Sequence, residues 1–212
     1  MTIFGRRNGK STPMPADLLE WQVRLRDHTM HARNGAPHVG VAPLLSVRAP
    51  GSPSGCESYS IICGLLPRED LLEDRTRAFR EIYEKHVEEG ARTVYDHGVT
   101  YLKNYYTDPG EFDPTSITTL LQKDLPVVEA LRADPRCALV FYVFDLQARD
   151  ELERLRTTQL DGEAEVLTEG PVYDNVWWHN TLFHGPADDH VIIHFRHRAS
   201  LDTRFGRREV LA

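Results

Sequence analysis

Long apolar runs are missing from this 212-residue sequence. No stretch approaches the roughly 18 consecutive apolar residues of a membrane-spanning helix, so no membrane partner is expected. Cysteine is scarce: Cys56, Cys63 and Cys137 are the only three, and none sits in C-x-x-C spacing. An odd, sparse set does not build a disulfide scaffold and fits a reducing cytoplasm. Positive charge is not in surplus either, because the formal net charge is −7. That balance argues against a nucleic-acid partner. Neither G-x-G-x-x-G nor a Walker pattern occurs, and Pro53 takes the serine's place in Gly51-Ser-Pro-Ser-Gly55, so no nucleophile elbow is present. H-x-H and E-x-x-H are absent as well, which removes the usual one-segment metal sites. Arg6-Arg7 is followed by polar residues, so no signal peptide is read there. A cytoplasmic protein with a small-molecule substrate is the expectation.

What remains is ordinary globular composition, 41% apolar and 27% charged, in a chain long enough for one well-buried domain. Residues 1–14 are polar with Gly, Pro and Ser and read as a flexible N-terminal arm. One domain is expected over residues 15–212. Pro15-Ala16-Asp17 opens an amphipathic helix with Leu18, Trp21, Val23 and Leu25 on its apolar side, ending at Asn34-Gly35. Val39–Val47 and Ser58–Leu65 read as two strands of a hairpin with a loop between them. From about 68 to 107 the chain turns helical: Leu72, Phe79, Ile82, Tyr83, His86 and Val87 keep helical spacing, and Gly90 interrupts. The acidic run Glu69, Asp70, Glu73 and Asp74 suits the first turns of that helix, where the macrodipole favours carboxylates. An extended segment (Thr115–Leu121), a short helix (Leu125–Arg132), two strands, an aromatic helix (Pro171–Phe183) and a strand (His190–His197) follow. Cys137–Phe144 is apolar on both faces, as in a central strand buried on both sides. Leu155–Leu167 alternates cleanly, with one wet face. The order predicts an α+β fold: an antiparallel split β-barrel with peripheral helices and a helical insertion.

The run Leu131-Arg-Ala-Asp134-Pro135-Arg136-Cys-Ala138-Leu139, followed by Arg156 and then Gly162-Glu-Ala-Glu165, resembles the flavin-binding split barrels, the superfamily of pyridoxamine phosphate oxidase. The resemblance covers about residues 123–180. It implies FMN held at the interface of a homodimer and a flavin-dependent oxidoreductase acting on a small molecule, as in a biosynthetic pathway. The residues it assigns to the cofactor are Thr118, Lys123, Arg156 and Arg204 for the phosphate, with Thr157 and Gln159 near the ring. Thr157 stands where the phosphate oxidases carry a flavin-contacting glutamine, and Gln159 lies two positions later on the same face. The family's R-x-V-L-L-K strand is not found. Arg196, Arg198, Arg204, Arg207 and Arg208 form a basic C-terminal cluster, which could serve an anionic group or be salt-bridged.

Some split barrels hold haem instead of flavin, so haem b is the alternative cofactor, with His179, His184 or His194 as axial ligand and His86 or His97 beyond them. His190 and His194 share a strand face but lie roughly 13 Å apart, too far to grip one metal from one strand. Trp178, beside Trp177 and near Tyr173 and Phe183, could stack on a flavin ring, or the group could simply pack a helix. Tyr95, Tyr101, Tyr105 and Tyr106 fit a pocket wall, a helix-to-barrel interface or a dimer surface. A non-catalytic binding or regulatory protein on the same barrel is the reading from a different class.

Overall fold

The computed structural model describes residues 11–31, 42–49, 51–144, 155–204 and 207–211. Five helices, α1 (Ala16–His31), α2 (Glu69–His86), α3 (Ala91–Leu102), α4 (Pro126–Ala133) and α5 (Pro171–His184), surround eight strands. The strands are β1 (Leu44–Arg48), β2 (Cys56–Ser60), β3 (Gly64–Pro67), β4 (Phe112–Gln122), β5 (Arg136–Phe144), β6 (Leu155–Leu167), β7 (His190–Arg204) and β8 (Arg207–Leu211). They run β2-β1-β5-β6-β7-β4-β3, every pair antiparallel, with β8 also on β7.

The two longest strands are shared. β6 and β7 pair along nearly their whole length. The first half of β7 takes β4 as its second neighbour, and the second half takes β8. Two wings therefore diverge from one β6–β7 spine, and among the described residues β2 and β3 remain free ends. This is the expected α+β split barrel with peripheral helices. Its core unites Leu45 and Val47 of β1, Leu139 and Phe141 of β5, Leu160 of β6 and Ile193 and Phe195 of β7. Burying each such side chain contributes about 1.5–3 kcal/mol.

Local chemistry sets the element ends. Pro126 opens α4 where its missing N–H costs nothing, and Pro135 closes it. The Asp134 carboxylate accepts from the Arg136 backbone N–H at 3.1 Å and from its Nε at 2.8 Å, fixing the turn into β5. Gly90, at φ 105°, separates α2 from α3 after a single 3-10 turn. The segment expected to be helical carries α2 and α3, which pack on each other and on α5.

Several expectations are corrected. Ser58–Leu65 is not one strand, because β2 and β3 lie at opposite ends of the strand order, separated by Ile61–Cys63. β1 starts at Leu44, and residues 39–41 and Asn34-Gly35 lie outside the described residues. β7 continues past His197 to Arg204, and the basic C-terminus forms β8. The inner end of the arm is tied down. Thr12 N–H donates to His197 O at 3.0 Å, its hydroxyl donates to Arg198 O at 2.6 Å, and Met14 is buried. β5 is central in the sheet, but only Cys137, Leu139, Phe141 and Val143 are deeply buried on alternate positions. On its other face Tyr142 is 55% exposed.

Candidate functional site

Two concavities flank α5. The smaller, of about 400 Å³, lies between α5, β3 with the Ile62–Cys63 lead into it, β4, and the Tyr105–Tyr106 turn after α3. The larger, of about 910 Å³, opens between α2, the start of α5, β4 and β7. Both volumes fall in the roughly 300–1,000 Å³ span of small-molecule sites.

The smaller pocket has an aromatic wall. Tyr105 and Tyr106 are buried, their rings 4.8 Å apart and edge to face, and both pack on Phe112. Neither can belong to an exposed dimer surface; they serve as packing and pocket wall at once. Burial pushes both hydroxyls upward in pKa, so they remain phenols. His179 enters from α5 and packs on Phe79 at 5.2 Å and Phe183 at 5.5 Å. Asn175, also on α5, donates to the Thr76 hydroxyl at 2.9 Å and so locks α5 to α2. From β4, the Thr119 hydroxyl donates to Ile62 O at 2.6 Å and the Thr118 hydroxyl to Gly64 O at a weak 3.4 Å.

Behind this wall lies Arg26, only 1% exposed. Its Nη1 donates to Gln22 O at 3.1 Å and its Nη2 to Cys63 O at 2.6 Å, while Nε is enclosed with no partner. The guanidinium also stands 5.8 Å from the Tyr106 ring centre. Burial raises the Cys63 thiol against the pull of Arg26, and burial pushes Cys137 up to about 12, so neither is a thiolate nucleophile at neutral pH.

The larger cleft has a polar floor. The Asp113 carboxylate accepts from the Thr115 backbone N–H and hydroxyl at 2.8 Å each, and from the Ser116 hydroxyl at 2.7 Å. The proton of Ser116 being so committed, His194 Nε2–H must donate to Ser116 Oγ at 3.0 Å. Trp178 forms one wall, 5.7 Å from Tyr83 and with the Arg80 guanidinium 5.9 Å from its ring centre.

The candidate residues thus fall into three groups. Thr118, His179 and His184 line the smaller pocket, and Lys123 borders it, its backbone N–H donating to the lining residue Asp189 at 2.9 Å. Trp178 and His194 belong to the larger cleft. Thr157 and Gln159 sit on β6 opposite Tyr142 and Val140, on the half-exposed sheet face, with Gln159 donating to Asp161 at 2.6 Å. The backbones of Arg156 and Arg204 are register partners beside them; their side chains lie outside the described residues. Thr118 and Lys123, at the smaller pocket, are not brought together with Thr157 and Gln159 on β6. His86 and His97 instead stack on each other at 3.7 Å, joining α2 to α3. Among the described residues no three His, Cys, Asp or Glu could hold a metal ion, and no helix is long and apolar enough to cross a membrane. Arg26 is hard to read because it lies on a helix stripe most of whose other buried members, Leu18, Leu19, Val23 and Met30, are apolar. A polar residue on such a stripe, with Gln22 four positions before it, was the available signal.

Two further histidines make stability pH-dependent. Burial, aided by Arg196, holds His194 below the ordinary histidine value. Burial does the same to His197, which donates from Nδ1 to Thr12 O at 2.7 Å and accepts from the Ser200 hydroxyl at 2.8 Å. Unfolded histidines titrate near about 6.5, so below that pH the unfolded chain binds more protons than the folded one. Thermal midpoints should stay level above neutral pH and fall as the pH drops below about 6.5. His197→Gln should flatten that fall, and melts at several pH values check it.

The fold is an α+β split barrel, and its chemistry is concentrated around α5. No family model matches the sequence, and no curated protein does. Among solved structures, the chain is similar to a putative pyridoxamine 5'-phosphate oxidase from Listeria innocua, at 9% identity and a TM-score of 0.46, over 92% of this chain and 97% of that one. It is similar to a haem-binding protein from Mycobacterium smegmatis at 10% identity and a TM-score of 0.49, over 95% of this chain and 59% of that one. A third is an FAD-binding protein from Mesorhizobium loti, at 11% identity and a TM-score of 0.41, over 78% of this chain and 86% of that one.

Proposed function

We propose that the protein is a cytoplasmic homodimer that binds FMN in the smaller pocket and acts as an oxidoreductase on a small molecule. The observation that carries this reading is the pocket itself. It is apolar and aromatic on one side, through Tyr105 and Tyr106, and offers Thr118, Thr119 and the Asn180 amide on the other. A flat ring with polar edges fits that division: the wall excludes water, and an amide both donates and accepts. The phosphate would lie toward Lys123 and Thr118, whose long bond to Gly64 is readily exchanged for one to a phosphate oxygen. When bound, the flavin supplies the hydride chemistry, and the chain supplies orientation and electrostatics.

The dimer explains the third group of candidates. Val140, Tyr142, Thr157 and Gln159 form a half-exposed face on β5 and β6, and a second copy seated there would cover it. Haem b is the second reading, because His179 and His184 line the same pocket.

Purified protein incubated with either cofactor tests this. Bound FMN gives bands near about 450 nm and bound haem a Soret band near about 400 nm, both properties of the cofactors. The expected result is one FMN per protomer in a species of twice the chain mass, with Tyr142→Glu yielding monomers of reduced flavin content. A Soret band would move the reading to haem. Uptake of neither cofactor would leave a non-catalytic protein.

A further inference from the structure

We propose that the smaller pocket is built for an anionic ligand, with the buried Arg26 guanidinium as its counter-charge, acting through the Cys63–Tyr106 wall. The inference rests on the pocket chosen above and deepens that reading by fixing the ligand's charge.

Among the described residues, Arg26 is a charge without an opposite charge beside it. Its partners are the carbonyl and amide oxygens of Gln22, the carbonyl and thiol of Cys63 at 2.6 and 3.6 Å, and the face of Tyr106. All are neutral. It takes part in no ion pair among the described residues, whereas Arg68, Arg75 and Arg77 each hold a carboxylate. A guanidinium keeps its proton in proteins, so it cannot shed its charge as a buried lysine or histidine can. Enclosing it unpaired is therefore costly, and the enclosed Nε adds an unmade hydrogen bond.

Position says where the missing charge belongs. Cys63 and Tyr106, the two residues against the guanidinium, both line the pocket. The cation therefore stands one residue behind the pocket surface, against Cys63 and Tyr106. Its field reaches that surface: Arg26 draws both the Cys63 thiol and the Tyr106 hydroxyl toward their ionised forms, in opposition to burial. The lining holds one carboxylate, Asp189, which is taken by His190 Nδ1 at 2.6 Å. That carboxylate is 63% exposed and faces solvent, and no anion among the described residues meets the guanidinium. An anion in the pocket supplies what the fold leaves out, and Arg26 is a specificity-determining residue that acts without touching it.

FMN and riboflavin differ only in the phosphate, so their affinity ratio reads the charge preference directly. Wild-type protein should favour FMN by about tenfold or more, and Arg26→Met should collapse that ratio while Arg26→Lys retains it. Equal wild-type affinities for the two flavins would overturn the proposal and leave the flavin reading standing, even if Arg26→Met fails to fold. An unchanged ratio in a folded Arg26→Met would overturn it too. Should neither flavin bind, thermal stabilisation by inorganic phosphate over chloride at equal ionic strength decides. If wild type gains stability and Arg26→Met does not, the anion preference stands without FMN; if wild type gains none, it falls.

Discussion

Gly162→Ala is expected to destabilise the protein by about 3 kcal/mol or more, the upper range of overpacking substitutions. A Cβ at Gly162 would meet the Arg196 carbonyl oxygen at 2.2 Å and the Phe195 ring at 2.6 and 2.8 Å. The first obstacle is backbone, in the strand that pairs with β6 along nearly its whole length, so it cannot swing aside. The second is a core ring, 2% exposed. Gly162 also sits at the register shift between β6 and β7, where Asp161 faces Ala199 but Gly162 faces His197. Bulges bend strands and raise their twist, and this one lies where the two wings diverge. Relief of the clash would have to open the spine itself. For a chain of this size the thermal midpoint should fall by roughly 6–12 °C, at about 2–4 °C per kcal/mol. Calorimetry checks it, and a shift of under about 2 °C would show that β7 gives way.

Phe79→Ala should cost about 3–5 kcal/mol, and Phe79→Leu less than about 1.5. Phe79 is fully buried and is the point at which α2 meets its neighbours. Its ring lies 5.6 Å from Tyr101 and 5.5 Å from Tyr105, on the α3 side, and 5.2 Å from His179 on α5. Truncation leaves a void among three aromatic groups that are themselves held elsewhere: Tyr105 by Tyr106 and Phe112, His179 by Phe183. They cannot all close on it, so the cavity cost is paid nearly in full. The void also borders the smaller pocket, of which Tyr105 and His179 are wall. Denaturant melts should therefore show the loss, and cofactor uptake should weaken in the alanine variant even where the protein is folded. Unchanged melts would mean that α2 contributes little to the domain. That result would also remove the insertion from any part in the site.

Much of the fold was legible because it depends on short-range periodicity. The alternation in Leu155–Leu167 told its faces apart: Thr158, Leu160 and Ala164 are buried, while Glu163 and Glu165 are exposed. Helical spacing found Phe79, and the prolines at 126 and 135 fenced α4. Less was legible where a pattern has two causes. An apolar outer face on β5 signals burial, yet the chain's own elements do not bury Tyr142. Ser58–Leu65 reads as one extended run, but the backbone leaves one edge of the sheet and joins the other. No local term records that change of partner. The candidate site is the least legible part: residue type and resemblance point to Thr118, Lys123 and His179, and neither points to Arg26.

The sequence by itself determined the α+β class, the helical insertion between β3 and β4, the central place of β5 and the half-wet face of β6. Each of these follows from propensity, proline and glycine punctuation and the periods 2 and 3.6, which act over a few residues. Only the tertiary structure decided that β6 and β7 are a shared spine, and that Cys63, Tyr106, Thr118 and His179 line one pocket with Arg26 behind two of them. Those residues span more than a hundred positions in the chain. Their proximity comes from burying separate apolar faces together, a sum over the whole molecule that no segment contains.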